Sequence, residues 1–338
     1  MRHRLPPDHY INGILAGDRL LLSRAITLVE SRRPDDQALA QLVMEGVLSR
    51  SGEAGPRPAA SSVRIGITGV PGVGKSTFIE AFGTYLTQLG HHLAVLAVDP
   101  TSQRSGGSLL GDKTRMETLS MNPNAYIRPS PAGDSLGGVG HRTRETMLLC
   151  EAASFDVILV ETVGVGQSET VVHGMVDFFL LLMLAGAGDE LQGMKRGIME
   201  LADALVITKA DGDNIAPANR ARMEYQNALH LFPPTGTGWF PPVLTGSALT
   251  GAGIATIWQT IQEHQQLTTQ NGQRNQRRQA QQLTWFRALL RQQLDSQFYD
   301  RPGMQDQLAL MEAQVQAGTL LPGQAVKMLF QPSSSGSR

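Results

Sequence analysis

The stretch "VRIGITGVPGVGKST", residues 63–77, joins a short apolar run to a glycine-rich loop and then to an amphipathic segment with helical spacing. The loop matches the phosphate-binding pattern G-x-x-x-x-G-K-[ST] and lies where that pattern works, after a predicted strand and at the start of a predicted helix. Glycines let the backbone wrap closely, so successive N–H groups can point at phosphate oxygens, and the helix N-terminus adds partial positive charge. The sequence therefore predicts a nucleotide-phosphate site formed by Gly69, Gly72, Val73, Gly74, Lys75, Ser76 and Thr77.

Beyond this loop the sequence repeats one pattern, in which short apolar runs alternate with amphipathic stretches. The apolar runs are "VRIGITG", "HLAVLAVD", "DVILVE", "DFFLLLML", "ADALVITK" and "PVLTGSA". They are apolar almost throughout, which is typical of strands buried on both faces of a parallel sheet. This alternation predicts an α/β fold, with a doubly wound and mostly parallel sheet over residues 63–267.

Segments of different composition flank this domain. Residues 1–62 are predicted to be a helical extension, because residues 8–50 have helical periodicity and "SGEAGPRPAASS", residues 51–62, has the composition of a flexible boundary. Residues 268–330 begin with the polar stretch "QQLTTQNGQRNQRRQAQQ" and then become periodic, which predicts a helical arm, and residues 331–338 are expected to be a disordered tail. An arm too narrow to bury its own apolar stripe needs another surface, and we favour a second copy of the chain over the main domain. The stripe consists of Leu283, Phe286, Leu289, Leu290 and Leu294.

Composition narrows the function classes. The 338 residues are 41% hydrophobic and carry 29 basic and 30 acidic side chains, for a net charge of −1, so nucleic acid is not an expected partner. Cys150 is the only cysteine, which excludes a disulfide framework and a cysteine-based metal site. The first residues lack the apolar region of a secretory signal, and the longest apolar run, residues 178–187, is too short to span a membrane. We expect a soluble, cytoplasmic protein.

Carboxylates at the ends of predicted strands are candidates for a magnesium site. Lys75 is predicted to bridge the β- and γ-phosphates, and the Ser76 hydroxyl is predicted to ligate Mg²⁺. Mg²⁺ prefers oxygen ligands and keeps several waters, so the protein supplies few of them. The candidate acids are Asp99, Asp112 and Glu161. Two alternatives stay open, since Asp99 could instead cap the turn before a proline and Asp112 could be an ordinary loop acid.

The segment "DVILVETVGVGQSE", residues 156–169, bears on hydrolysis. Many nucleotide hydrolases place an aspartate at the end of this strand and a glutamine after the loop glycine, where it positions the attacking water. Here the acid is Glu161, whose longer side chain suits the orientation of a water, and Val165 stands where the glutamine would be. A hydrocarbon side chain cannot orient water, so intrinsic hydrolysis should be slow.

A second motif selects the base. Thr208-Lys209-Ala210-Asp211 resembles the guanine-recognition motif N-K-x-D, with threonine in place of asparagine. The Asp211 carboxylate can accept from guanine N1–H and from the N2 amine, and adenine offers neither donor in that geometry. Lys209 is predicted to lay its stem along the base. A later segment, Ser247-Ala248-Leu249, could supply a backbone N–H to guanine O6. Together the two segments favour GTP over ATP.

The combination of "GVPGVGKST", "AVDPTS", "GDKTRM", "ETVGVGQSE", "GDELQGMKRG" and "ITKADGDN" resembles the ArgK/MeaB family of GTPases associated with methylmalonyl-CoA mutase. The resemblance covers nearly the whole chain and implies a P-loop fold of the signal-recognition/MinD-like class. It implies a GTPase chaperone that gates cofactor delivery to an adenosylcobalamin-dependent acyl-CoA mutase, protects that mutase, and acts as a homodimer joined through the C-terminal helices. It also implies that residues 188–197 form a switch loop that communicates with the mutase. The working residues of that loop would be Asp189, Glu190, Gln192 and Lys195, with Gln192 and Lys195 joining Lys75 and Glu161 in catalysis.

Other functions stay open at this point. A nickel-insertion GTPase shares the fold class but generally carries histidine-rich motifs, whereas the eight histidines here are scattered. A kinase acting on periplasmic lysine/arginine/ornithine-binding transport proteins would need ATP, which the guanine motif disfavours. A scaffold that binds nucleotide without turnover is the third alternative. The partner could be a methylmalonyl-CoA, isobutyryl-CoA or ethylmalonyl-CoA mutase, and no direct contact with cobalamin is expected.

Overall fold

The computed structural model describes residues 4–54, 62–98, 116–129, 136–162, 168–186, 196–231 and 238–330. Three helices come first, α1 (Pro7–Leu15), α2 (Arg19–Glu30) and α3 (Pro34–Ala54). Strands and helices then alternate: β1 (Val63–Gly69), α4 (Lys75–Gln88), β2 (Leu93–Val98), α5 (Glu117–Met121), β3 (Ala125–Arg128), α6 (Leu136–Ala152), β4 (Val157–Thr162), α7 (Ser168–His173), β5 (Phe178–Met183), α8 (Arg196–Leu201), β6 (Ala204–Ile207), α9 (Ile215–Leu229), β7 (Val243–Thr245) and α10 (Ile254–Gln270). Three more helices follow, α11 (Gln273–Tyr299), α12 (Met304–Gln316) and α13 (Pro322–Phe330).

The seven strands of the described chain form one parallel sheet in the order β3-β2-β4-β1-β5-β6-β7. Strands β4 and β5 are buried along their whole length, as their apolar sequences predict. The doubly wound parallel sheet is therefore confirmed. From β1 the chain runs to β2 and outward to β3, returns to β4 between β2 and β1, and then crosses to β5 and outward to β7. The connections that follow the neighbouring strands β1 and β4 therefore leave in opposite directions. Ligands bind at this point in open α/β sheets.

Two details differ from the sequence prediction. Strand β3 was missed, because four residues at the edge of the sheet, with Ile127 and Arg128 only half-buried, are too few to establish a period. The predicted flexible boundary at residues 51–62 is wrong for its first four residues, since α3 continues to Ala54. Gly52 weakens a helix by only about 1 kcal/mol, so it does not end α3.

The two faces of the sheet are covered by different helices. Helices α1 to α3 pack with α6 over one face, where Leu22 and Ile26 share a core with Val160. Helices α4 and α10 cover the other face, where Phe82 and Trp258 contact each other edge to face. The N-terminal helices therefore belong to the same core as the nucleotide-binding strands.

Charged side chains form a network at the amino ends of the strands. Asp177, just before β5, accepts hydrogen bonds from Arg278 Nε and Nη2 at 2.7 and 2.6 Å. Asp203, just before β6, pairs with Arg277 at 3.2 Å. The polar stretch that sequence analysis placed at the start of the arm therefore packs against the amino ends of the strands. We call the set the amino-end network; its members are Arg64, Glu151, Asp177, Asp203, Arg274, Arg277 and Arg278.

The chain divides into two compact units, one ending at Gln281 and one beginning at Gln282. In the second unit the predicted apolar stripe is helical and exposed, with Phe286 60% and Leu290 48% accessible. The end of α11 packs on α13 through stacked Phe298 and Phe330 rings 4.6 Å apart. The predicted domain boundary at residues 267–268 stays a prediction. No helix among the described residues is long and apolar enough to cross a membrane.

Candidate nucleotide site

The phosphate loop has the backbone that its glycines predict. Gly74 precedes α4 with a φ of 91°, a conformation that side chains disfavour. A Cβ at Gly69 would lie 2.5 Å from the carbonyl oxygen of Leu182 on β5, so only glycine fits where β1 ends. Val73 is fully buried, so its side chain anchors the loop to the core. The loop is therefore held open at the N-terminus of α4, as a phosphate site requires.

Lys75 points back into the phosphate loop. Its Nζ donates to the carbonyl oxygens of Gly69 and Val70 at 2.9 and 3.4 Å. Burial lowers the pKa of Lys75, and the charges of Glu161 and then Glu169 oppose that shift. The structure thus brings a partly buried cation to the position that the motif assigns to phosphate.

Ser76, in the first turn of α4, meets Glu161, near the carboxyl end of β4. The Ser76 hydroxyl donates to Glu161 Oε1 at 3.3 Å, and Glu161 is only 8% exposed. A hydroxyl and a carboxylate are oxygen donors of the kind Mg²⁺ prefers, so these two residues fit the predicted metal site. Thr77 follows in the first turn of α4 and is exposed. Asp99 and Asp112 lie outside the described residues, so their placement beside this pair stays a prediction.

The predicted base-recognition segment is tied to the phosphate loop. Thr208 Oγ1 donates to the carbonyl of Val73 at 2.8 Å, and Lys209 Nζ donates to the carbonyl of Gly72 at 3.0 Å. Lys209 has a φ of 57°, and its carbonyl accepts from Asn214 Nδ2 at 2.7 Å. The threonine hydroxyl therefore keeps the contact with the phosphate loop that its position needs, although it lacks an amide donor.

Asp211 is oriented by the second base segment. The Ser247 hydroxyl donates to Asp211 Oδ2 at 2.5 Å, and Ser247 is fully buried. Its backbone N–H donates to the carbonyl of Ala252 at 2.9 Å, so of the three predicted backbone donors the Ser247 N–H is already used within the protein. Sequence analysis predicted only a backbone role for Ser247 and missed its side chain. It also missed Asn214, because its contact depends on the turn that follows Lys209.

Several predicted residues fall outside the described part of the chain. They are Val165 after β4, and Asp189, Glu190, Gln192 and Lys195 in the predicted switch loop. Their roles stay predictions.

Comparison with known proteins decides the family. The model for "Methylmalonyl Co-A mutase-associated GTPase MeaB" matches residues 22–302. The chain belongs to the MeaB family. A relative named GTPase ArgK from Escherichia coli is 49% identical over 277 residues, which cover 82% of this chain and 81% of the relative. "Methylmalonic aciduria type A homolog, mitochondrial" from Mus musculus is 47% identical over 330 residues, 97% of this chain and 80% of that protein.

A solved structure agrees with the fold. The structure, described as an LAO/AO transport system kinase, has a TM-score of 0.74 and 37% identity, over 97% of this chain and 98% of that one. The family resemblance and the P-loop fold predicted from the sequence are both confirmed. As a member of the MeaB family the protein is a GTPase, and its bound nucleotide is a guanine nucleotide.

Proposed function

We propose that this GTPase is a chaperone for an adenosylcobalamin-dependent acyl-CoA mutase of the methylmalonyl-CoA mutase type. It gates delivery of the cofactor and protects the mutase, acts in the cytoplasm, and does not itself contact cobalamin. The observation that carries the proposal is the family match over residues 22–302, whose description names that mutase. The name of the Mus musculus relative, which refers to methylmalonic aciduria, supports the same partner.

The chain's own residues would divide the work at the phosphates. Lys75 would leave the carbonyls of Gly69 and Val70 and donate to the β- and γ-phosphates. Ser76, Asp99, Asp112 and Glu161 would hold Mg²⁺, with Glu161 also orienting a water beside it. Bound Mg²⁺ would neutralise charge on the phosphate oxygens. Asp211, fixed by Ser247, would select guanine.

The proposal is tested by phosphate release from GTP and from ATP, each with and without purified methylmalonyl-CoA mutase. Slow GTP turnover that the mutase accelerates, with ATP inert, would support it, since Val165 cannot position a water. Turnover of ATP would favour the kinase alternative. GTP turnover that the mutase does not change would contradict the proposed partner.

Lys195 is the residue through which we expect the mutase to act. Lys195→Ala should remove mutase-stimulated hydrolysis and spare basal hydrolysis and GTP binding, because a cation brought to the phosphates stabilises charge in the transition state. In Ras the corresponding gain is roughly 10⁵-fold. The measurement is the ratio of turnover with and without the mutase. Lys327→Ala removes an exposed lysine from α13 and is the matched control. Stimulation that survives Lys195→Ala would exclude this role.

The exposed stripe on α11 is proposed to join two copies of the chain. Leu290→Glu places a charge in that stripe, so it should convert the dimer to a monomer, because an unpaired charge is costly to bury. Light scattering after size exclusion would show the mass fall by about half. Gln292→Glu adds the same charge at another exposed position of α11 and should leave the dimer intact. A wild-type chain that is monomeric at micromolar concentration would contradict the proposal.

A further inference from the structure

Asn214 immediately precedes α9, and its side chain does not cap that helix. An asparagine in this place commonly accepts a hydrogen bond from a backbone N–H of the first turn. Asn214 makes no such bond, and its own backbone is already in the right-handed helical region, with a φ of −86°. Its amide points backwards instead, and Nδ2 donates to the carbonyl oxygen of Lys209 at 2.7 Å. Stabilisation of α9 therefore does not explain this side chain.

The carbonyl that Asn214 holds belongs to a residue in an unfavourable backbone conformation. Lys209 has a φ of 57°, in the left-handed region that residues with a Cβ avoid. Its side chain is exposed, so burial does not stabilise that conformation. The backbone N–H of Asn214 also donates to the carbonyl of Asp211, at 3.0 Å. Asn214 thus bonds to the carbonyls on both sides of Ala210 and closes the turn around them.

The left-handed turn at Lys209 joins two parts of the nucleotide site. Before it, the Thr208 hydroxyl donates to the phosphate loop at 2.8 Å. After it, the Ala210 N–H donates to the carbonyl of Gly246 at 3.2 Å, just before the second base segment. Asp211 comes next in the chain. The place of its carboxylate relative to the phosphate loop therefore depends on the conformation of Lys209.

We propose that Asn214 is a positioning residue for guanine recognition. By holding the left-handed turn at Lys209, it keeps the Asp211 carboxylate where guanine N1–H and the N2 amine both reach it. Asn214 acts through Asp211 and does not touch the base. The inference rests on the proposed role of Asp211 in selecting guanine, and it does not depend on the mutase.

The test compares the affinities of GDP and inosine diphosphate, measured by competition with a fluorescent GDP analogue. Inosine keeps N1–H but lacks the N2 amine, so Asp211 makes one fewer hydrogen bond to it. Asn214→Ser removes the amide donor and leaves a hydroxyl too short to reach the Lys209 carbonyl. GDP should bind about tenfold and inosine diphosphate about threefold more weakly, because each weakened hydrogen bond to the carboxylate costs about threefold in affinity. The preference for GDP should therefore fall about threefold.

A second variant and a control separate positioning from damage to the fold. Asn214→Asp keeps the shape of the side chain but cannot donate, so the preference for GDP should fall here too. Asn219→Ser makes the same change as the first variant at an exposed position of α9 and should leave both affinities unchanged. The melting temperature without nucleotide, measured in parallel, reports whether each variant folds.

The ratio of the two affinities decides the outcome. Folded Asn214 variants that keep the wild-type preference for GDP, whether both affinities stay the same or both fall equally, would overturn the inference and leave the role of Asp211 intact. Wild-type protein with no preference for GDP over inosine diphosphate would overturn the role of Asp211 as well.

Discussion

Replacing Asp211 with asparagine should weaken GTP binding by about a thousandfold and leave the fold intact. The carboxylate can only accept, and guanine presents two donors to it, N1–H and the N2 amine. Asparagine would turn an NH₂ donor toward one of them, leaving that donor buried without a partner. The Ser247 hydroxyl, 2.5 Å from Oδ2, fixes the side chain and limits its ability to adapt. Titration with fluorescent GTP measures the loss.

The same substitution should gain affinity for xanthosine triphosphate. Xanthine carries an oxygen where guanine carries the N2 amine, so it accepts from the asparagine NH₂ that guanine cannot use. A reversed order of affinity between the two nucleotides separates a specificity effect from damage to the fold. Asp213→Asn, two residues further in an exposed turn, is the control and should bind GTP as the wild type does. An Asp211→Asn variant that keeps its GTP affinity would contradict guanine recognition by this residue.

The parts of the molecule that the sequence predicts well are those whose signals are local. Spaced glycines with Lys75 and Ser76 predict the phosphate loop, because the geometry depends on consecutive residues. Buried apolar runs predict the central strands for the same reason. Strand β3 was not predicted because it is short and lies at an edge of the sheet.

Long-range polar contacts could not be predicted. Arg278 bonds to a residue 101 positions away, and Ser247 to one 36 positions away. The stretch "QRNQRRQ" has the composition of a solvated linker, and only the placement of Asp177 and Asp203 makes its arginines structural. A charged side chain is buried only where it has a partner of opposite charge, and the spacing of residues in the sequence does not reveal that partner.

Removing one acid from the amino-end network should destabilise the protein strongly. Asp177→Ala should lower the free energy of unfolding by about 3–5 kcal/mol, the usual cost of breaking a buried ion pair from one side. Asp177 accepts from the N–H of Arg64 at 3.0 Å and from Arg278, and Arg274 lies 3.7 Å away. Without the carboxylate, Arg274 and Arg278 face each other's charge in partly buried surroundings. Urea unfolding measures the change.

The same substitution at an exposed pair is the control. Asp35 pairs with Arg4 at 3.1 Å, but its side chain is 72% exposed, so Asp35→Ala should move the melting temperature by less than about 2 °C. An equal loss of stability in the two variants would mean that burial of the amino-end network does not strengthen its ion pairs.

The pH dependence tests the charge itself. Burial alone would raise the pKa of Asp177, but hydrogen bonds from Arg278 and the charges of Arg278, Arg274 and Arg64 lower it below its usual 3.8. An acid with a lowered pKa contributes stability that is present above its unfolded value and is lost as pH falls through its folded value. The stability difference between wild type and Asp177→Ala should therefore stay constant from about pH 8 to pH 5 and shrink only below about pH 4. A difference that already disappears between about pH 7 and pH 5 would point to the buried histidines, whose pKa values are lowered by burial, and away from the carboxylate.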